Sequence, residues 1–185
     1  MSVPYVLSYW NNLVSNLNWR KIWCLPYKYI IVNKVKEVSL KIIHRFYPCK
    51  RFLQRYKKDI DVSCSFCNNS LENLHHLFCS CHLSCAFWQK LCTSFPQKID
   101  FNFTLSYEDV LFGSFSYDPA KSDQYYIINL IVLLAKYHIH KCKFSSQKPL
   151  FLVFVKELKQ YLTIQRSQNK KAVKTTDLCL LFNSY

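Results

Sequence analysis

The chain has 185 residues, of which half are hydrophobic and 17% are aromatic, so it can bury a core and is not disordered by composition. Its single glycine, Gly113, disfavours antiparallel sheets and nucleotide-cradling loops, because both need glycines at turns. The net charge of +14 favours a polyanionic partner, most simply nucleic acid, over a merely solvated lysine-rich surface. We therefore predict a mainly α-helical protein.

The ten cysteines bear on the compartment in which the protein works. Residues 1–12 lack the basic region and apolar core of a secretory signal, so we expect an intracellular protein, nuclear or cytoplasmic, rather than a secreted one. In a reducing compartment, clustered cysteines usually bind metal. The longest apolar run, Tyr125 to Ala135, is shorter than the ~20 residues that cross a bilayer, so no membrane partner is expected.

The first half of the chain predicts three helices. Val3 to Leu17 carries apolar residues at helical spacing. Asn33 is the expected cap of a second helix that ends at Pro48, with an apolar stripe of Val35, Val38, Ile42 and Phe46. Lys50 to Lys57 is the expected third helix. Lys34, Lys41 and Arg45 are predicted to share one exposed face of the second helix.

The second half predicts further helices with one ambiguous segment between them. That segment, Ile99 to Leu105, alternates apolar and polar residues and fits a short strand or a linker. The expected helices are His82 to Leu91, Ser106 to Phe112 with Ser106 as cap and Gly113 as stop, Gln124 to Lys143, and a last helix from Pro149 to about Ser167. We predict two regions, residues 18–92 and 106–170. The tail from 168 to 185 is expected to fray.

The spacing Cys64-x2-Cys67-x8-His76-x4-Cys81 is the most informative motif. Three cysteines and a histidine match the soft ligands of a tetrahedral zinc site, and four protein ligands make such a site structural rather than catalytic. The motif predicts a small zinc knuckle in the middle of a helical bundle, with Zn²⁺ as cofactor. The alternative is that the cysteines are buried apolar residues.

The surroundings of this motif raise three further expectations. Ser70 is expected to cap a helix that begins near Leu71, and Glu72 to orient the His76 imidazole from one turn away. His75 and Cys79 have the same four-residue spacing as a ligand pair on a helix. Neighbouring helical residues differ by about 100°, so His75 and His76 cannot easily bind one ion together.

The motif and its flanks resemble a known family. The pattern Cys-x2-Cys, Glu, His-Leu-Phe-x2-Cys, Trp, preceded by Trp-x2-Ile-Trp and a basic helix, is similar to the zinc-binding segment of LINE-type (non-LTR) retrotransposon reverse transcriptases. The resemblance implies His76 rather than His75 as the ligand. It also implies a role in target-primed reverse transcription through RNA or DNA binding. The residues that carry it are Cys64, Cys67, Glu72, His76, Leu77, Phe78, Cys81, Trp88, Trp19, Ile22, Trp23 and the segment Asn33 to Pro48.

A basic segment precedes the zinc motif, with Phe46, Tyr47, Phe52 and Tyr56 interleaved. Basic groups hold phosphates and aromatic rings stack on unpaired bases, although core aromatics and solvated charges would give the same pattern. The candidate nucleic-acid-binding residues are Lys34, Lys41, Arg45, Lys50, Arg51, Arg55, Lys57 and Lys58.

The sequence predicts a binding protein rather than an enzyme. There is no Tyr-x-Asp-Asp element of a polymerase, no endonuclease motif and no expected small-molecule substrate. His138 and His140 have no acidic partner nearby in the sequence. The alternatives are a zinc-stapled protein-interaction module, with the polymerase domain of a parent polyprotein as partner, or a decayed reading frame.

Overall fold

The computed structural model describes residues 5–14, 17–29, 32–95, 103–115 and 119–168. Within these ranges the chain is mainly helical and contains no β-strand, as the composition predicted. The helices are α1 (Tyr5–Leu13), α2 (Trp19–Cys24), α3 (Asn33–Ile43), α4 (Lys50–Leu53), α5 (His82–Ser94), α6 (Tyr107–Phe112), α7 (Ser122–Phe144) and α8 (Phe151–Gln168). Short 3₁₀ turns, Leu25–Tyr27 and Pro119–Lys121, follow α2 and precede α7.

The helices of the second half agree closely with the prediction. Ser106 caps α6 by accepting the N–H of Asp109, while the Asp109 carboxylate accepts the N–H of Ser106. Gly113 ends α6 with φ at +92°, and a side chain there would overlap Leu25 and Asn129. In the ambiguous segment, residues 103–105 are irregular and 99–102 lie outside the described residues, as does the tail beyond Gln168.

The helix predicted to run from Asn33 to Pro48 ends early, at Ile43. The N–H groups of Arg45 and Phe46 turn back to the carbonyls of Ile42 and Lys41, and Arg45 adopts a left-handed φ of 61°. This pair of bonds is the Schellman termination, in which the left-handed position usually holds glycine. Asn33 is the first residue of α3 rather than its cap.

The core joins the first half of the chain to the second. α3 packs along α7, and one hydrophobic cluster runs from Trp10 in α1 to Leu162 in α8. Three residues of the predicted stripe, Val35, Val38 and Ile42, are buried at this contact, whereas Phe46 lies beyond the end of α3 and is exposed. The two predicted regions therefore share one core. Across the described residues no helix is long and apolar enough to cross a membrane.

A lysine lies inside this core. The side chain of Lys136 in α7 is 1% exposed, and its ammonium donates to the Ser39 hydroxyl at 3.3 Å and the Leu111 carbonyl at 3.1 Å. Neither acceptor carries a charge. Burial therefore lowers the pKa of Lys136 to about 7.

Replacing Lys136 by methionine should change how stability depends on pH. An unfolded lysine has a pKa of about 10.4, so between pH 7 and 10 the unfolded state binds more protons and the free energy of unfolding rises with pH. From pH 7 to 9 this gain should be about 2 kcal/mol in the parent protein and absent in Lys136→Met. Urea unfolding at pH 6, 7, 8 and 9 measures it. Lys148→Met, at an exposed lysine, is the matched control, and parallel curves for parent and Lys136→Met would contradict the prediction.

Candidate metal centre and basic surface

The first two predicted ligands lie in a tight turn at the end of a short hairpin. The Cys64 N–H donates to the Ser70 carbonyl and the Glu72 N–H to the Val62 carbonyl, so the chain folds back on itself around Cys67. Asn68, at φ 57°, supplies the left-handed residue that the reversal needs. The turn places both thiols on one side of the hairpin.

The four predicted ligands converge. The ligand atoms of Cys64, Cys67, His76 and Cys81 all lie within 4.8 Å of one another. The Cys64 and Cys81 sulfurs are 3.9 Å apart, and the Cys67 sulfur is 3.4 Å from His76 Nε2. Tetrahedral zinc with Zn–S bonds of ~2.3 Å places two sulfurs roughly 3.8 Å apart. The spacing of the donor atoms fits zinc.

The three thiols differ in how readily they ionise without a metal ion. Burial raises the pKa of Cys64 to about 12 and raises that of Cys81. Burial acts in the same direction on Cys67, but backbone N–H groups and His76 outweigh it and lower the Cys67 pKa to about 6. The Phe66 N–H donates to the Cys64 sulfur at 3.4 Å, as expected for a knuckle. A divalent cation at the centre would stabilise all three thiolates at once.

His76 and Cys81 are positioned by a single π-helical turn, His76–Ser80. Its closing bond runs from the Cys81 N–H to the His76 carbonyl at 2.8 Å. The wider turn lets His76 and Cys81 reach the same point while Leu77 and Phe78 between them stay buried. Wide turns of this kind often occur at functional sites.

Side chains from α5 satisfy the carbonyls that this turn leaves free. Ser84 Oγ donates to the Leu77 carbonyl at 2.7 Å and the Trp88 indole N–H donates to the Phe78 carbonyl at 2.6 Å. Unpaired buried carbonyls are costly, so these two bonds stabilise the unusual turn. Trp88 is buried, and its indole N–H gives it this polar role as well.

Two expectations about the surroundings of His76 are wrong. Asn73, not Ser70, caps the turn, because its side-chain oxygen accepts the His76 N–H at 2.7 Å. Glu72 does not orient the imidazole, since His76 Nδ1 lies 3.4 Å from the Ser80 hydroxyl instead. His75 is exposed and packs edge-on against Tyr107, outside the cluster of ligands.

Glu72 has a different role from the one predicted. Its buried carboxylate accepts the N–H and hydroxyl of Ser65 and the N–H of Lys50, and it forms an ion pair with Lys143 of α7 at 3.3 Å. Burial would raise the pKa of Glu72, but these hydrogen bonds and the Lys143 cation lower it overall. Glu72 therefore connects the turn that carries Cys64 and Cys67 (the metal turn) to α4 and to α7.

The predicted basic residues do not form one surface. Lys34 is exposed on α3, whereas Arg45 lies beyond the end of α3, so the shared helical face predicted for it with Lys34 and Lys41 is wrong. Lys41 pairs with Glu37 at 2.5 Å and Lys50 with Asp61 at 3.5 Å. The residues brought together by the turns around α4 are Arg51, Arg55 and Lys58, which line one shallow depression of about 390 Å³, with Lys57 exposed nearby.

One polar cluster escaped the sequence reasoning. His138 Nδ1 lies 2.9 Å from the Glu157 carboxylate, which also pairs with Lys141 at 2.6 Å, and His138 Nε2 lies 3.5 Å from the Cys142 sulfur. Glu157 is on α8, nineteen residues from His138, so no local motif joins them. Burial raises the pKa of Cys142 to about 11.

Fold and site together define a helical module with a Cys₃His cluster that could hold a metal ion. Residues 5–88 match the family model described as zinc-binding in reverse transcriptase, and this match supports a reverse-transcriptase-associated zinc-binding region in this part of the chain. The match extends from α1 to Trp88 and includes all four predicted ligands; compared with the predicted region 18–92, it begins earlier and ends four residues sooner. Neither the curated proteins nor the solved structures contain a match to the chain.

Removing the metal should unfold the centre of the chain. Structural zinc supplies ~10–16 kcal/mol of apparent binding free energy in small modules, and the hairpin buries little apolar surface of its own. We expect one zinc per chain by elemental analysis and a loss of helical circular dichroism with a strong chelator.

A matched pair of variants tests the ligand set. His76→Ala should lower zinc affinity, whereas His75→Ala, at the exposed neighbour, should leave it unchanged. Equal zinc affinity in both variants would show that His76 is not a ligand, and a spectrum insensitive to chelator would show that the cysteines only pack.

Replacing Glu72 by glutamine should destabilise the fold. The change keeps the shape of the side chain but leaves the Lys143 ammonium buried without its counter-charge, which typically costs about 3–5 kcal/mol. The double variant Glu72→Gln/Lys143→Met should recover part of this loss, because no unpaired charge remains. Urea unfolding measures both, and additive effects of the two changes would contradict the coupling.

Proposed function

We propose that this chain is a zinc-stabilised nucleic-acid-binding region of a LINE-type reverse transcriptase. It would bind template RNA or target DNA next to the polymerase during target-primed reverse transcription. Zinc held by Cys64, Cys67, His76 and Cys81 would stabilise the fold and take no part in chemistry. The thiols it needs are maintained in a reducing compartment, nuclear or cytoplasmic.

The observation that carries the proposal is a series of accessible aromatic rings next to exposed arginines. Phe46 is 63% exposed and Tyr56 79% exposed, and Phe52 lies between them with ring centroids 6.4 Å and 5.7 Å away. Arg51 and Arg55 stand beside these rings, and both are exposed. Rings that stack on bases, flanked by groups that hold phosphates, are typical of single-strand binding surfaces.

The proposal is for a binding role without catalysis. The arrangement that most resembles a catalytic constellation is Cys142, His138 and Glu157, which has the order of nucleophile, base and orienting acid. Its thiol is buried, and burial keeps that thiol protonated at neutral pH. We assign this cluster to the packing of α8 on α7.

A second candidate function is a protein contact. α8 presents several apolar side chains to solvent, namely Leu152, Val153 and Ile164, with Leu150 just before it. Exposed apolar patches often mark protein interfaces. In this alternative the polymerase domain of a parent polyprotein is the partner and the basic surface only keeps the protein soluble.

Removing the basic depression should weaken nucleic-acid binding. In the triple variant Arg51→Ala/Arg55→Ala/Lys58→Ala, each lost phosphate contact should reduce the log–log salt dependence for single-stranded RNA by about 0.7. Stability should change little, because exposed charges contribute little to folding. Fluorescence anisotropy with labelled single-stranded RNA at several salt concentrations measures both affinity and slope.

The control removes the same charge from elsewhere. Lys90→Ala/Lys148→Ala/Lys156→Ala takes three exposed lysines from α5, the loop before α8, and α8 itself. It should leave the affinity nearly unchanged. If both triple variants bind equally, the depression is not the binding surface. If the parent chain shows no salt-sensitive binding, the protein-contact function is favoured.

A further inference from the structure

A cleft separate from the metal cluster opens between α1, the end of α3, the α4 region and α6. Its volume is about 580 Å³, within the range of small-molecule and nucleotide pockets. Buried Trp10 and Tyr47 line it together with the more accessible rings of Tyr9, Phe52 and Tyr107. The cleft therefore offers several aromatic surfaces to one flat ligand.

The side chains that line the cleft carry an excess of positive charge, which favours an anionic ligand. Three arginines, Arg45, Arg51 and Arg55, line it, against the single carboxylate of Glu108. In the described part of the chain none of these arginines forms an ion pair with a carboxylate. Guanidinium groups bind phosphate through two parallel N–H donors, so three of them in one cleft favour a phosphorylated ligand.

Arg45 reaches this cleft at a cost to its backbone. It occupies the left-handed position that ends α3, where a side chain is disfavoured and glycine is usual. Its guanidinium lies over the Tyr9 ring, with the central carbon 3.2 Å from the ring centroid. Stacking in this way leaves the N–H groups at the edge of the guanidinium available to a ligand.

The cleft also contains a side chain with free hydrogen-bond donors. Asn73 lines it, and the side-chain oxygen of Asn73 is occupied by the His76 N–H at 2.7 Å. Its amide nitrogen has no partner among the described residues, so two N–H donors remain. Unpaired nucleobases present hydrogen-bond acceptors on their edges, and these N–H donors could bind them.

We propose that this arginine cleft holds one unpaired nucleotide of a single-stranded nucleic acid. The base would lie against the aromatic rings that line the cleft. Its flanking phosphates would bind Arg45, Arg51 and Arg55. This inference rests on the proposed function and gives it a specific consequence. Because a base inside a duplex is already stacked and paired, the cleft should prefer single strands to duplexes.

Replacing Arg45 by glycine separates binding from folding. Glycine relieves the left-handed backbone, so the melting temperature should stay the same or rise. Loss of the guanidinium should weaken binding of a fluorescein-labelled single-stranded RNA of about twelve uridines by about tenfold. Ser146→Gly is the matched control, because Ser146 has φ 55° at the equivalent position after α7 and does not line the cleft. It should keep the full affinity.

Crosslinking locates the base. Single-stranded RNA carrying 4-thiouridine should form adducts at the cleft rings, Tyr9, Phe52 or Tyr107, and a hairpin duplex should compete poorly. Undiminished RNA binding by Arg45→Gly, adducts confined to other surfaces, or equal affinity for the hairpin would each overturn the cleft while leaving the proposed function standing. Absence of any salt-sensitive binding by the parent chain would remove both.

Discussion

The buried carboxylate of Glu72 connects the candidate metal centre to the rest of the protein. It accepts hydrogen bonds from Ser65, next to the first ligand, and from Lys50 at the start of α4, and it faces the Lys143 ammonium of α7. Lys143 in turn donates to the Pro48 carbonyl at 2.8 Å. A charge withdrawn from water is tolerable only when its partners are all in place. The hairpin, the loop before α4 and the end of α7 therefore hold one another in register.

This arrangement explains how a small metal turn can be part of a larger helical fold. The hairpin has little apolar surface, but the π-helical turn after it buries Leu77 and Phe78 beneath α5. α5 then contacts α8, and α3 lies along α7. Polar contacts fix the position of the metal turn, while apolar contacts supply most of the buried surface. The two kinds of contact act on the same few helices.

Local signals in the sequence predicted much of this fold, and non-local contacts account for what they missed. The cap at Ser106, the stop at Gly113 and the apolar length of α7 are properties of neighbouring residues. The convergence of the four predicted ligand residues followed from spacing. The early end of α3 was missed because Arg45 stands where glycine normally gives the signal. The ion pairs of Glu72 and Glu157 join residues far apart in the chain, and no pattern in a single sequence encodes such pairs.

The shared core has a consequence for how this region can be exchanged between proteins. The family match ends at residue 88, inside α5, but the apolar stripe of α3 is covered by α7, which begins at Ser122. Cutting the chain at the end of the match would expose Val35, Val38 and Ile42 to water and leave Glu72 without Lys143. The unit that sequence comparison recognises is thus smaller than the unit that folds. Recombination that moved the matched segment into another protein would have to bring, or find there, a long apolar helix to cover α3.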